Sequence, residues 1–204
     1  MKYPKVREVG EAIKALVRGP YTSRFPREPH VPHVQFRGQP KFNAEACVGC
    51  LACEAICPVN AIAHEDRVGN GSSGVRVIIH YTDTCIFCGQ CEAACIADGK
   101  GITLSHEWDL AFFDRSAANE SIEKELQICE VCGATVACRD HLRWLARRLG
   151  EMSYANPTLY LARLRDLGLV ADMPATPHRD AWRSDRVKIL CARCRRRAAL
   201  ETDR

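Results

Sequence analysis

Two stretches of the chain, Cys47-Val-Gly-Cys50-Leu-Ala-Cys53-Glu-Ala-Ile-Cys57-Pro58 and Cys85-Ile-Phe-Cys88-Gly-Gln-Cys91-Glu-Ala-Ala-Cys95, share one spacing, C-x2-C-x2-C-x3-C. This doubled string constrains the fold more than any apolar pattern, because it is the spacing with which a chain wraps 4Fe-4S cubes. A cube needs thiolates converging on its corner irons, and cysteines three apart in a loop turn successive sulfurs inward. The fourth cysteine of each string lies too far along the following helix to close its own cube, so it is expected to ligate the other one. The expected ligand sets are Cys47, Cys50, Cys53 and Cys95 for one cluster, and Cys85, Cys88, Cys91 and Cys57 for the second. Such crossing requires the two halves to fold together. A pair of zinc sites or a disulfide framework fits worse, since zinc favours two separated pairs over three close cysteines plus a fourth. Pro58 follows the first string, whereas Ile96 stands at the matching place after the second. That departure concerns chain geometry and not ligation.

Thirteen cysteines in a short chain would suggest a secreted disulfide scaffold, but eight of them are claimed by clusters that need reduced thiolates. A reducing compartment is expected. The start, Met-Lys-Tyr-Pro-Lys-Val, has no apolar signal core, and no apolar run approaches the roughly 20 residues of a spanning helix. The expected location is soluble or peripheral, on the cytoplasmic side of the inner (cell) membrane. The formal charge of +4 counts cysteines as neutral. Two oxidised cubes at roughly −2 each cancel it, so the charge is no argument for a nucleic-acid partner.

The expected organisation is α+β, in three parts. Residues 1–40 form an amphipathic helix and an extended docking arm. Val6, Val9, Ile13, Leu16 and Val17 share one helical face over residues 4–18, basic and acidic residues fill the rest, and Gly19-Pro20 ends the helix. Such a face suits a membrane surface or a partner. Pro20, Pro26, Pro29, Pro32 and Pro40 then favour extended chain that wraps a neighbour. Residues 41–115 form the two-cluster domain, with cysteine loop, short helix and strand occurring twice; Val75–Tyr81 and Gly101–Ser105 are the strands, and Gly69–Gly74 is a hairpin tip.

Residues 116–204 carry Cys129-Glu-Val-Cys132-Gly133 and Cys191-Ala-Arg-Cys194. Two such knuckles facing each other give a tetrahedral four-cysteine site, for zinc first and mononuclear iron second. Between them, leucines at 142, 145 and 149 mark a helix over 139–149, and Asn156-Pro157 with Gly168 bracket another. The tail is thus expected to be a helical hairpin closed by the metal site, with Cys138 as a small buried hydrophobe. Arg193, Arg195, Arg196 and Arg197 could suggest a zinc-ribbon nucleic-acid module, but the aromatic residues that stack bases are absent, and a solvated tail or one facing an acidic subunit fits better. His64, His80 and His106 read as structural or surface residues. No nucleophile elbow, Walker loop or dinucleotide glycine fingerprint is present, so the chain is expected to have no catalytic site of its own.

The amphipathic start, Phe36-Arg-Gly38 before the first string, Cys85-Ile-Phe-Cys88-Gly-Gln-Cys91, and Leu104-Ser-His-Glu-Trp-Asp-Leu110 together resemble the two-cluster ferredoxin-type subunit of respiratory complex I and the membrane-bound NiFe hydrogenases. The paired tail cysteines are similar to the hydrogenase-4 or formate hydrogenlyase branch. The resemblance implies an electron relay through two 4Fe-4S clusters in a multi-subunit membrane complex, with a NiFe-type small subunit as one partner. A complex I (NADH:quinone oxidoreductase) subunit is the alternative.

Overall fold

Apolar periodicity and terminal signals produce the first helix, α1 (Val6–Arg18), in the computed structural model, which describes residues 5–19, 22, 24–69, 73–171 and 187–200. Glu8 at the third helical position accepts from the Lys5 backbone N–H at 3.0 Å, and Gly19, at φ 81°, donates back to Ala15 O at 3.0 Å. Pro4 and Pro20, part of the expected helix and its stop, lie outside the described residues. No residue of α1 is buried, and Val6, Leu16 and Val17 are more than 80% exposed. Residues 1–36 form one compact unit and residues 37–204 another.

In the second unit a two-stranded antiparallel sheet pairs β1 (Pro40–Phe42) with β4 (Ile102–Leu104), Phe42 opposite Ile102. A four-stranded antiparallel sheet runs in the order β2 (Ile62–Val68), β3 (Ser73–Tyr81), β5 (Asn119–Ile128) and β6 (Thr135–Cys138). Short helices α2 (Ala52–Ile56) and α3 (Gln90–Ala93) follow the two cysteine loops. The expected strand over Val75–Tyr81 is β3, and that over Gly101–Ser105 is β4. The centre of the expected hairpin tip, residues 70–72, lies outside the described residues. The long strand β5 has no counterpart in the sequence reading. It pairs with β3 along nine residues, with Ile78 opposite Ile122.

The main core gathers Ile62, Ile78, Ile102 and Ile122 with Cys91, and Phe42, Cys47, Cys53 and Cys95 pack against it. Side chains from both cysteine strings therefore share one hydrophobic centre. Gly38 lets the entering chain join this unit: its N–H donates to Ser105 O at 2.9 Å, and a β-carbon there would lie 2.8 Å from both that oxygen and the Glu107 nitrogen.

The tail helices match their sequence signals. α4 spans Arg139–Leu149, a 3-10 segment follows over Gly150–Ala155, and α5 spans Pro157–Asp166. Asn156 Oδ1 caps α5 by accepting from the N–H groups of Thr158 and Leu159 at 3.0 and 3.4 Å. Arg143 ties the two helices with a bidentate bond to Asp166, 2.7 and 2.9 Å. The run of arginines lies in a further helix, α6 (Ala192–Leu200), and Arg195 is not a solvated side chain: its guanidinium donates to Thr158 Oγ1 at 2.6 Å.

Candidate metal centres

Each cysteine string bends through the left-handed backbone region at equivalent places. In the first string Gly49 (φ 72°) and Leu51 (φ 66°) adopt it; in the second, Phe87 (φ 54°) and Gly89 (φ 77°) do; and Asn60 (φ 51°) and Asp98 (φ 54°) repeat it after each fourth cysteine. A left-handed non-glycine residue costs roughly 1–2 kcal/mol. Leu51 and Phe87 hold that conformation in the middle of the loops, where the chain turns between its cysteines.

Two small cavities result, each about 20 Å³. The first is lined by Cys47, Cys50, Cys53 and Cys95, with Phe42, Leu51, Ile78 and Ile102 as apolar walls. The second is lined by Cys57, Cys85, Cys88 and Cys91, with Pro40, Ile62, Phe87 and His80. The eight predicted cysteines thus line the two cavities four to each, and each lining includes one cysteine from the opposite string. Gly101 keeps the first cavity open, since a β-carbon there would press to 3.0 Å from Cys95 Sγ and 3.2 Å from Cys47 Cα. Amide groups address sulfurs of the second cavity: Ala61 N–H donates to Cys57 Sγ at 3.2 Å and Phe87 N–H to Cys85 Sγ at 3.4 Å.

Desolvation dominates the acid-base behaviour of these thiols. It pushes Cys53 up to about 12 and Cys91 up to about 11, with neighbouring cysteines adding to the rise. Four thiolates at such depth need cationic partners, and iron in a cube supplies them. The four-cysteine donor set fits a 4Fe-4S cube in each cavity, with the glycine-kept space at the first and the amide–sulfur bonds at the second.

The surroundings of the first cavity were not legible in the sequence. Arg76 is buried on β3, forms a bidentate pair with Asp66 (2.7 and 2.8 Å), and donates from Nη1 to Gly49 O at 3.0 Å. Lys124 projects inward from β5, its Nζ donating to Ala44 O at 2.5 Å and pairing with Asp140 at 2.9 Å. Its charge works against the burial that raises Cys47. Cys138, fully buried with Leu126 and Ile128, lies against Gly49, and burial pushes its thiol up to about 11.

The tail cysteines also converge. The sulfurs of Cys129, Cys132, Cys191 and Cys194 all lie within 4.8 Å of one another, with Cys132 and Cys191 at 3.7 Å. A tetrahedron with arms of about 2.3 Å has edges of roughly 3.8 Å, so the group suits a four-thiolate metal. Gly133, at φ 71°, closes the first knuckle by donating to Cys129 O at 3.0 Å, and Glu130 N–H joins the knuckles by donating to Ile189 O at 3.0 Å. α5 braces both: Arg165 forms a buried ion pair with Glu130, and Thr158 exchanges hydrogen bonds with Leu190 at 3.3 and 3.4 Å. Burial raises Cys132 and Cys194. At Cys129 burial acts the same way, but backbone N–H groups of Cys132, Cys191 and Val131 outweigh it and the thiol is lowered.

Residues 33–99 match the family model for the 4Fe-4S dicluster domain. Formate hydrogenlyase subunit 6 of Escherichia coli (strain K12) is 30% identical over 187 residues, covering 92% of this chain and 88% of the relative. NAD(P)H-quinone oxidoreductase subunit I of Gloeobacter violaceus is 28% identical over 114 residues, 54% of this chain, and the match spans about half (53%) of that relative's length. Among solved structures, a chain of the membrane-bound sulfane sulfur reductase, an archaeal respiratory membrane complex, aligns over 58% of this chain and 61% of its own, with 22% identity and a TM-score of 0.39.

Proposed function

The chain belongs to the family of two-cluster 4Fe-4S ferredoxin-type subunits that includes formate hydrogenlyase subunit 6, and from that premise we propose that it relays electrons inside a membrane-associated, hydrogenase-type respiratory complex. The observation that carries the choice of complex is the tail. Similarity to formate hydrogenlyase subunit 6 runs through 92% of the chain, whereas similarity to the quinone oxidoreductase subunit covers 54%. A complex I-type subunit is the second reading, supported by that shorter match.

In this reading Cys47, Cys50, Cys53 and Cys95 hold one cube, and Cys85, Cys88, Cys91 and Cys57 hold the other. Each cube, when bound, supplies a one-electron carrier. The chain's own residues fix its place: crossed cysteines tie each cavity to the opposite string, Ile62, Ile78 and Ile102 exclude water, and amide groups tune the sulfurs. Nothing in this task requires an acid, a base or a nucleophile. Zinc, or a single iron, in the Cys129–Cys132–Cys191–Cys194 site closes the tail and contributes folding free energy.

The three-part organisation belongs to the same proposal. Residues 1–40 dock, residues 41–115 carry the relay, and residues 116–204 brace it. The exposed Val6, Leu16 and Val17 of α1 support contact with a membrane surface or a subunit beside it. No described helix is long and apolar enough to cross a membrane, which accords with a peripheral subunit, here placed on the cytoplasmic side beside a NiFe-type small subunit. Metal analysis of the chain purified with its partners tests the reading. About eight irons plus one zinc or a ninth iron per chain are expected, with hydrogenase subunits attached. Zinc without cubane absorbance would refute it, and quinone oxidoreductase subunits in place of hydrogenase subunits would favour the second reading.

A further inference from the structure

His80 stands on β3 with none of its surface exposed, and its Nε2 has no hydrogen-bond partner among the described residues. A buried N–H left unmet costs about 1–3 kcal/mol. The neighbouring network accommodates the tautomer with its hydrogen on Nε2. Gln39 Nε2 donates to Thr82 Oγ1 at 2.8 Å, and the Thr82 hydroxyl hydrogen is then free to turn to His80 Nδ1, 3.5 Å away. With Nδ1 accepting, Nε2 carries the hydrogen. Burial first, and the Lys41 charge second, keep the ring neutral.

The environment supplies few acceptors. His80 lies opposite Ile62 on β2 and Glu120 on β5; Glu120 Oε1 accepts from Phe42 N–H at 3.1 Å, while its Oε2, without a hydrogen bond among the described residues, faces the Lys41 ammonium at 3.8 Å. His80 also lines the cavity of Cys57, Cys85, Cys88 and Cys91. The first cavity has no histidine among its described lining residues.

We propose that His80 Nε2–H donates a hydrogen bond to the sulfur of the cluster held by Cys57, Cys85, Cys88 and Cys91, positioning that cluster and raising its potential. The proposal rests on the relay reading. A hydrogen bond donated to cluster sulfur favours the more negative, reduced state, because electron density accumulates on the acceptor. The effect is local to one cluster, since the other cavity offers no equivalent donor side chain.

Pulsed electron paramagnetic resonance on the full-length holoprotein, with 15N-labelled histidine, tests this. The reduced second cluster should show nitrogen and exchangeable-proton couplings, and both should vanish in His80→Phe. At a fixed poise His80→Phe should lower the reduced-to-oxidised ratio of the second cluster about tenfold, some 59 mV for one electron, and leave the first unmoved. His80→Gln, which keeps an N–H, should recover part of the ratio. Two intact cubane spectra without nitrogen coupling in the wild-type protein would overturn the hydrogen bond and assign Nε2 to Glu120 Oε2, leaving the relay standing. A wild-type chain without two cubane spectra would overturn the relay and the bond together.

Discussion

The two cysteine cavities are built from nearly the same string and the same left-handed bends, yet they sit in different electrostatic company. Behind the first, buried Arg76 and Lys124 touch the loop that contains Gly49, each with a carboxylate partner on its far side. Beside the second stands a neutral imidazole. Repetition of a ligand motif therefore fixes what is bound, while the strands that cover each copy decide how readily it is reduced. Much of this difference is carried by β5, which places Lys124 against the first loop and Glu120 opposite His80.

The largest test of the comparison exchanges the crossed cysteines. Cys95→Ala should abolish the resonance spectrum of the first cluster and Cys57→Ala that of the second, each leaving its partner detectable. Loss of the sequence-adjacent cluster in either variant would break the crossed pairing. A smaller effect should follow Lys124→Gln. Removing one buried positive charge is worth on the order of 1 kcal/mol, so the reduced-to-oxidised ratio of the first cluster at fixed poise should fall several-fold with the second unmoved. Equal changes at both clusters would erase the electrostatic contrast. The smallest belongs to Arg76→Lys, which keeps the charge but cannot span Asp66 and Gly49 O together. It should cost about 0.5–1 kcal/mol and lower Tm by roughly 1–4 °C, with chelators stripping iron faster from the first cavity.

The parts of the molecule legible in the sequence are those whose chemistry is local. Ligand spacing shows because one loop must deliver three sulfurs to one cube, and α5 shows because Asn156 and Pro157 act on the helix they begin. β5 was hidden by its own function. Its inward positions are Ile122, Lys124 and Leu126, and the lysine breaks the apolar alternation; only the fold brings Asp140 and Ala44 O to meet it. His80 likewise looked unremarkable, because its significance depends on a cavity assembled from residues on both strings. Arg195 looked solvated for the same reason, since Thr158 lies far off in sequence.

The exchange of fourth cysteines between cavities also sets a clock on maturation. While the chain is being made, at roughly 5–20 residues per second, Cys47, Cys50 and Cys53 emerge seconds before Cys95 does. Until Cys95 emerges the first pocket lacks a corner, and until Cys85, Cys88 and Cys91 emerge the second lacks its loop. With the proposed ligand sets, completing either cube would wait for both strings, and a product truncated between them would carry neither finished cube. Synthesis that stops there would yield a protein with no complete relay site, instead of one that accepts electrons and passes them nowhere.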